Sequence, residues 1–274
     1  MTGNIYDESQ DLAGLSAKER QIVSYFSANE MVTVKVKDMI LIHPCKRETA
    51  NQILRRLNEK GWLQRLKRGI YATIPLSSST STPVVENGLV LAMDLFKPAF
   101  ISGWSAAEHW GLTEQIFNSI SVVTSSPQRK IDQTLGNCTF RIRTLSKNRF
   151  FGTQAVWFGS KSAEIADPSR TLIDILDLPG FGGGMRHTID IVKKYWTSNF
   201  CNPDLLLQYA IRYNKGTVFK RLGFLAEKLN VEVPQEWIEK CQKNITKGVS
   251  TLDPSGSKKG EIISKWNLRI NTPL

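Results

Sequence analysis

Arginine and asparagine recur at every fourth position between residues 47 and 55 of the 274-residue chain. Side chains four residues apart lie on one ridge of a helix, so Arg47, Asn51 and Arg55 would project from the same face. Arginine pairs with guanine and asparagine with adenine in the major groove of DNA, each through two hydrogen bonds. The spacing therefore predicts a helix face that can read bases. The candidate DNA-binding residues on this helix are Lys46, Arg47, Asn51, Gln52, Arg55 and Arg56.

The same segment also has the apolar stripe that a helix needs for packing. Four apolar residues fall at positions i, i+3, i+4 and i+7, namely Ala50, Ile53, Leu54 and Leu57. Gly61 is placed to end the helix. Residues 62–66 and 70–72 then read as two short strands around the turn Lys67-Arg68-Gly69. A basic-faced helix followed at once by a hairpin is typical of a winged helix-turn-helix, whose helix enters the major groove and whose hairpin lies against the backbone.

Positive charge decides between this interpretation and an ordinary amphipathic helix with a solvated face. Between Lys35 and Arg68 there are ten lysine and arginine residues and three acidic residues, a surplus of seven. Neutralising DNA phosphates requires such a surplus. On the hairpin, the candidate DNA-binding residues are Arg65, Lys67 and Arg68. The whole chain has a formal net charge of +11, which favours a polyanionic partner.

Upstream of this helix, two further helices are expected. Ser16 and Glu19 have the spacing of a capping box, in which each side chain bonds the other residue's backbone amide. Thr33 is predicted to open a second helix that ends before His43-Pro44. Proline restricts the residue before it, so His43-Pro44 reads as the turn of the helix-turn-helix.

Three domain segments are predicted. Residues 1–76 form the winged helix-turn-helix, and the polar run at 77–83 is a linker that cannot build a core. Residues 84–274 form a larger α+β domain, sheet-rich over 84–165, helical over 166–245 and ending in a tail or strand at 246–274. The predicted fold class is therefore α+β, a winged helix-turn-helix followed by a mixed sheet and a helical bundle.

Within the larger domain, β-rich and helical patterns follow each other. The strands are expected at 99–102, 119–125, 138–145 and 154–158. The helices are expected at 87–96, from Ser105 through a second capping box, from Asp167-Pro168, and at 185–196, 204–213 and 217–229. Alternation of Trp266, Leu268 and Ile270 predicts a final strand that docks on the domain.

Catalytic chemistry is not expected. The densest acidic groups outside the N-terminal module are Glu108, Glu164, Asp167, Asp174 and Asp177. Capping explains Glu108 and Asp167, and Asp174 and Asp177 lie beside an apolar stripe as solvated positions, so no converging metal-binding carboxylates are predicted. The Gly180–Gly184 run lacks the preceding strand and the Gly-Lys-[Ser/Thr] of a phosphate loop. We therefore predict a protein that is not an enzyme and has no metal or cofactor.

Cysteine usage and hydropathy point to the cytoplasm. The four cysteines are far apart and form no Cys-x-x-Cys pair. Unpaired cysteines fit a reducing compartment. The polar N-terminus has no hydrophobic signal region, and no apolar run approaches membrane-spanning length. A cytoplasmic protein without a membrane partner is the expectation.

A second basic cluster lies in the larger domain. Arg141 and Arg143 are two apart on a predicted strand and so share a face, with Lys147 and Arg149 close behind. Two interpretations are open. The four residues form a solvated sheet face, or they form a surface for nucleic acid or an acidic partner.

Four blocks of this sequence resemble the AbiE-type antitoxins of type IV toxin–antitoxin systems. They are residues 49–71 (TANQILRRLNEKGWLQRLKRGIY), 100–112 (FISGWSAAEHWGL), 165–174 (IADPSRTLID) and 265–271 (KWNLRIN). The resemblance implies a bacterial repressor that binds inverted repeats in its own operator as double-stranded DNA. It also implies a C-terminal domain that counteracts a nucleotidyltransferase-like toxin, with or without direct contact, in phage defence by abortive infection.

Two other functions remain open. The first is a winged-helix transcriptional regulator whose C-terminal domain binds a small ligand or a non-toxin partner. The second is a DNA-processing enzyme. A neighbouring nucleotidyltransferase-like reading frame would favour the antitoxin over the regulator, and metal-dependent DNA cleavage would favour the enzyme.

Overall fold

The computed structural model describes residues 14–74 and 87–273. Within these ranges it contains ten α-helices and three β-sheets, so the predicted α+β class is confirmed. The chain forms two compact units. The first consists of the described residues up to Leu95 together with Gln133–Thr139, and the second of Phe96–Asp132 together with the described residues from Phe140 onward. The predicted linker at 77–83 lies outside the described residues.

The first unit begins with three helices and three strands. They are α1 (Ala17–Ala28), β1 (Thr33–Lys35), α2 (Val36–Ile42), α3 (Arg47–Glu59), β2 (Leu63–Lys67) and β3 (Ile70–Thr73). The strands form an antiparallel sheet in the order β1-β3-β2. The predicted hairpin is confirmed, with Arg68 and Gly69 in the turn between its strands.

Local sequence signals set the ends of these helices as predicted. The Ser16 hydroxyl accepts a hydrogen bond from the Glu19 amide at 3.3 Å, and the Glu19 carboxylate accepts one from the Ser16 amide at 3.0 Å. This is the predicted capping box. After α3, Gly61 has a φ of +79°, a left-handed conformation that glycine adopts without a Cβ clash.

The start of α2 was predicted wrongly. Thr33 does not open the helix, because Thr33–Lys35 form β1 and α2 begins at Val36. Thr33 lies opposite Ala72 and Val34 opposite Tyr71. Backbone pairing with β3, a strand distant in sequence, determines the conformation of this β-branched segment. The residues around Thr33 alone do not reveal this partner strand.

The apolar stripe of α3 is buried, as predicted. Ile53, Leu54 and Leu57 each contribute about 1.5–3 kcal/mol when fully buried, so the stripe fixes which face of α3 turns inward. The buried residues that pack around it come from α1, α2 and the sheet, and include Ile22, Val23, Phe26, Val34, Met39, Leu63 and Tyr71.

The first unit extends past residue 76, where the sequence places the end of its domain. Most of α4 (Gly88–Phe96) belongs to it, and the Thr33 hydroxyl donates to the Asp94 carboxylate at 3.3 Å. The segment Gln133–Thr139 also belongs to it. A Cβ added at Gly136 would lie 2.9 Å from the Gln64 amide oxygen, so glycine there permits close approach to β2.

A six-stranded mixed sheet follows α4 in the chain. Its elements are β4 (Ala99–Ile101), β5 (Ser119–Thr124), β6 (Asp132–Leu135), β7 (Cys138–Thr144), β8 (Thr153–Phe158) and β9 (Lys161–Ala166), with α5 (Gly103–His109) between β4 and β5. The strand order is β6-β7-β5-β4-β9-β8. Strand β4 runs antiparallel to β5 and parallel to β9. The four predicted strands are confirmed, while β6 and β9 were missed because their polar sequences lack clear alternation.

The helices after the sheet are α6 (Pro168–Asp177), α7 (Met185–Trp196), α8 (Pro203–Tyr213), α9 (Gly216–Lys228) and α10 (Gln235–Lys243). Asp167 caps α6 as predicted, since its carboxylate accepts from the Arg170 amide at 2.7 Å and Pro168 lies in the first turn. The first four helices are confirmed, and α10 was not predicted. None of the helices among the described residues is both long enough and apolar enough to span a membrane.

The second predicted capping box is wrong. Ser105 lies inside α5, which begins at Gly103 after Ser102. The Ser105 hydroxyl accepts a hydrogen bond from the Ser121 amide of β5 at 2.9 Å. The serine therefore joins the helix to the sheet, and tertiary packing overrides the local signal.

The glycine run 180–184 allows the chain to pack closely against α5. Residues Pro179–Gly182 form a 3-10 turn, after which Gly183 has a φ of +85°. A Cβ added at Gly183 would lie 2.2 Å from the Trp104 ring, and one added at Gly103 would lie 2.5 Å from Phe181. Glycine at both positions lets the turn pack directly on α5.

The C-terminal segment is held by α9. Its short strands are β10 (Ser250–Thr251), β11 (Glu261–Ile263) and β12 (Leu268–Ile270), in the order β10-β12-β11. A Cβ added at Gly223 would lie 2.0 Å from the fully buried Trp266 ring. The predicted final strand is thus confirmed over Leu268–Ile270, whereas Trp266 lies in a 3-10 turn before it.

Substitution of Gly183 tests the packing role of the glycine run. We expect Gly183→Ala to lower the free energy of unfolding by at least about 2 kcal/mol, since the added methyl overlaps Trp104 and alanine must adopt a left-handed backbone. Gly180→Ala is the matched control, because no atom lies within 4 Å of its added Cβ. Urea denaturation measures the free energy of unfolding of both variants. An equal decrease in the two would contradict the packing role assigned to Gly183.

Candidate nucleic-acid interface

The outward face of α3 has every residue that was predicted to contact DNA from this helix. All six side chains are exposed, namely Lys46, Arg47, Asn51, Gln52, Arg55 and Arg56. The apolar stripe faces the core on the other side. The exposed polar residues therefore have no packing role in the core, and their side chains are accessible to a binding partner.

Two of these residues make side-chain contacts within α3 itself. The Asn51 amide donates to the Arg47 carbonyl at 2.9 Å, and the Arg55 guanidinium pairs with Glu59 at 2.7 Å. The pair spans one helical turn, and both side chains are mostly exposed. Ion pairs this exposed contribute little to stability because water screens them, so a partner of higher charge can displace Glu59 easily.

A buried carboxylate fixes the end of α3 relative to α1. Glu19 accepts a hydrogen bond from the Lys60 ammonium at 2.7 Å, and Arg56 lies 4.0 Å away. The bond from Lys60, together with those from Ser16, lowers the pKa of Glu19 to about 2. Sequence reasoning assigned Glu19 to the capping box but missed its link to α3, because Lys60 is distant in sequence.

The hairpin presents its cations at the end of β2 and in the turn. Arg65 and Arg68 are exposed and Lys67 is half-buried. The register between β2 and β3 shifts between Arg65 and Lys67, and a break of this kind in the ladder changes the direction of the side chains beside it. The Arg65 amide donates to the Asn58 side chain of α3 at 2.7 Å, so the hairpin and the helix are tied together.

The combined surface of α3 and the hairpin is strongly positive. Its exposed acidic residues are Glu48 and Glu59, against six exposed lysine and arginine residues and the half-buried Lys67. Burial and the nearby Lys35 charge lower the pKa of Lys67. Such a surface can bind a polyanion through its charges and read bases through Asn51 and the arginines. Across residues 14–74 and 87–273, no group of three or more histidine, cysteine or acidic residues could hold a metal ion.

The second predicted basic surface is largely occupied by internal contacts. Arg143 is only 11% exposed and forms an ion pair with Asp177. Arg141 pairs with Asp132 at 3.0 Å, and the Arg149 guanidinium lies 4.4 Å from the centre of the Tyr213 ring. Lys147 is exposed in a short 3-10 turn. The structure therefore places Arg143 in the interior rather than on a binding surface.

The interpretation of Asp174 and Asp177 as solvated positions is wrong, since both carboxylates are fully buried. Asp174 receives two hydrogen bonds of 3.0 Å from the buried Arg170 guanidinium. Asp177 is surrounded by Arg143, Lys215 and the Tyr213 hydroxyl. Burial disfavours the charged form of Asp177, but the Arg143 and Lys215 charges outweigh it and lower its pKa. The four-residue spacing of Arg170 and Asp174 was the available sequence signal.

Charge reversal at Arg143 tests whether it supports the fold. Arg143→Glu should lower the free energy of unfolding by about 3 kcal/mol or more, since it leaves Asp177 without a buried cation and adds a like charge. Lys147→Glu is the matched control on the exposed turn and should change stability by no more than about 0.5 kcal/mol. Thermal or urea denaturation measures both, and a stable Arg143→Glu variant would place Arg143 on the surface after all.

No family model matches the chain, and no curated protein matches it in sequence. The fold is similar to that in the crystal structure of the RV2827C protein from Mycobacterium tuberculosis, with a TM-score of 0.62. The likeness covers 93% of this chain and 92% of that chain, at 15% sequence identity. At this identity the likeness concerns the fold alone.

Proposed function

We propose that the first unit is a winged helix-turn-helix that binds double-stranded DNA. In this proposal α3 is the recognition helix, α2 is the first helix of the motif, and the β2–β3 hairpin is the wing. The recognition helix would enter the major groove with Arg47, Asn51 and Arg55 toward the bases. The wing would place Arg65 and Arg68 against the backbone phosphates.

The observation that carries the proposal is the division of α3 into two faces. Its four buried residues are all apolar, and its outward face has exposed cations and amides that make only weak local contacts. An ordinary solvated helix would balance its charges, whereas this surface keeps a large positive excess. That excess is what release of counterions from DNA requires.

We further propose that the protein is a bacterial antitoxin that represses its own operon. This step is supported by the four sequence blocks that resemble AbiE-type antitoxins. One of them, residues 49–71, covers most of α3 and the hairpin on which the DNA-binding proposal rests. In this proposal the second unit counteracts a nucleotidyltransferase-like toxin, and the protein acts in the cytoplasm without enzymatic activity.

Substitutions in α3 and in the wing should separate base reading from phosphate binding. We expect Asn51→Ala to weaken operator binding by about 1–3 kcal/mol and to weaken binding to random DNA much less, since a base contact is lost. Arg68→Ala should weaken binding to both DNAs and reduce the slope of log K against log salt by about 0.9, since one phosphate contact is lost.

Lys18→Ala is the control for charge alone, since Lys18 is exposed on α1. Fluorescence anisotropy over a range of salt concentrations measures all three variants on an operator fragment and on random DNA. An equal loss of DNA-binding affinity in Lys18→Ala and Arg68→Ala would show that the wing does not contact the DNA specifically. Equal losses on both DNAs from Asn51→Ala would show that α3 does not read bases.

Co-expression tests the antitoxin step. The proposal predicts a nucleotidyltransferase-like gene next to the gene of this chain. That toxin gene is expressed from an unrelated promoter, so repression at the native operator cannot protect the cells. We expect full-length wild type and Asn51→Ala to restore growth equally, because neutralisation is assigned to the second unit. Failure of both proteins to protect, while the wild type still binds the operator, would favour a regulator with a different partner.

A further inference from the structure

Strand β8 forms one edge of the six-stranded sheet. Among the described strands it pairs with β9 alone, in six consecutive positions without a bulge. Its sequence, TQAVWF, contains no charged residue and no proline. The Trp157 side chain is 68% exposed. Proteins usually protect edge strands with charges, prolines or bulges, and β8 has none of these.

The hydrogen bonding between β8 and β9 shows which backbone groups face outward. The Asp167 amide donates to the Gly152 carbonyl at 2.9 Å, and the register places these two residues directly opposite each other. Opposed residues in an antiparallel pair alternate between bonded and non-bonded positions. The residues whose backbone groups point away from β9 are therefore Thr153, Ala155 and Trp157.

We propose that β8 pairs with β8 of a second copy of this chain, antiparallel about a two-fold axis. Pairing all three outward residues requires Ala155 to face Ala155 of the partner subunit at the axis, with Thr153 facing Trp157 on either side. This register forms about six hydrogen bonds between the copies. The small alanine lies where the two strands are related by symmetry, and each Trp157 ring can cover the methyl group of the opposed threonine.

The chemistry of the strand favours a second copy over other partners. A symmetric interface brings identical groups together, and an uncharged strand does so without repulsion in a chain of net charge +11. Nucleic acid would need cations that β8 does not have. The proposal is independent of the proposed function, although a two-fold dimer would supply two DNA-binding units for an inverted repeat.

Proline at position 155 tests the pairing directly. Ala155→Pro removes an outward amide and leaves the bonded positions toward β9 intact, so an edge strand tolerates it. Two hydrogen bonds of the dimer would be lost, one from each copy, and the dissociation constant should rise about 30-fold. Sedimentation equilibrium of the full chain without DNA measures this, and circular dichroism checks folding.

A second variant covers the case in which proline disturbs the fold. Trp157→Lys places a charge opposite Thr153 of the other strand and should also yield monomers. Ile131→Lys is the matched control, since Ile131 is 69% exposed beside β6 at the other edge of the sheet, and it should remain dimeric. A monomeric wild type, or a dimer that survives Trp157→Lys, would overturn the proposal.

Cysteine cross-linking tests the register. Residues in a bonded antiparallel pair have Cα atoms about 5.5 Å apart, within reach of a disulfide. Ala155→Cys should therefore form a covalent dimer under mild oxidation, whereas Trp157→Cys faces Thr153 and should form much less. Equal cross-linking of the two variants, or cross-linking at position 157 alone, would contradict the proposed register. Because no DNA is present, these results are separate from any failure of operator binding.

Discussion

The second unit depends on one buried ion pair between Arg170 and Asp174. The Arg170 guanidinium is fully buried and also donates to the carbonyls of Arg149 and Phe151, while Ser102 donates to Asp174 at 2.7 Å. The pair thus joins α6 to the end of β4 and to the segment before β8. A buried charge is tolerated only where its hydrogen bonds are complete, so the positions of all these segments are constrained together. The guanidinium also lies 4.4 Å from the centre of the Phe151 ring, which fills the space around the pair without competing polar groups.

Buried cations recur in α9, where carbonyl groups take the place of carboxylates. Arg221 donates to the backbone carbonyls of Leu176, Thr251 and Leu252, and Lys220 donates to the carbonyl of Gly248. Burial lowers the pKa of Arg221 to about 10, so it stays charged at neutral pH. The carbonyls of Gly248, Thr251 and Leu252 belong to the C-terminal segment, so they bind these cations only when that segment is folded. The charges of Arg143, Arg170, Lys220 and Arg221 are thereby used inside the fold, and net charge alone does not locate a binding surface.

The proposed DNA-binding surface differs from these clusters in its exposure. Its cations lie on α3 and on a hairpin turn, where water screens them and the nearby acids form only weak pairs. Their positions are nevertheless fixed, because α3 packs into the core through its apolar stripe and is tied to α1 through Glu19 and Lys60. A rigid helix with replaceable ion pairs can bind a polyanion without first giving up strong internal contacts. Arg143 differs from these cations, since removing it would leave the buried Asp177 carboxylate with only the half-exposed Lys215 as its ion-pair partner.

The sequence by itself determined the elements whose signals are local. Ser16 and Glu19, Asp167 and Pro168, and Gly61 each set a helix end through neighbouring backbone atoms, and the stripe on α3 follows from helical periodicity. Tertiary structure decided what depends on distant partners. Thr33 became a strand because Ala72 lies beside it, Ser105 bonds β5 instead of capping a helix, and Asp174 and Asp177 became buried because arginines from the same helix and from β7 surround them. The candidate surface on α3 was predictable since exposure there follows from one helix alone. The burial of Arg143 was not predictable from the sequence, because the free energy of a charged group depends on the burial and the partners that only the folded chain supplies.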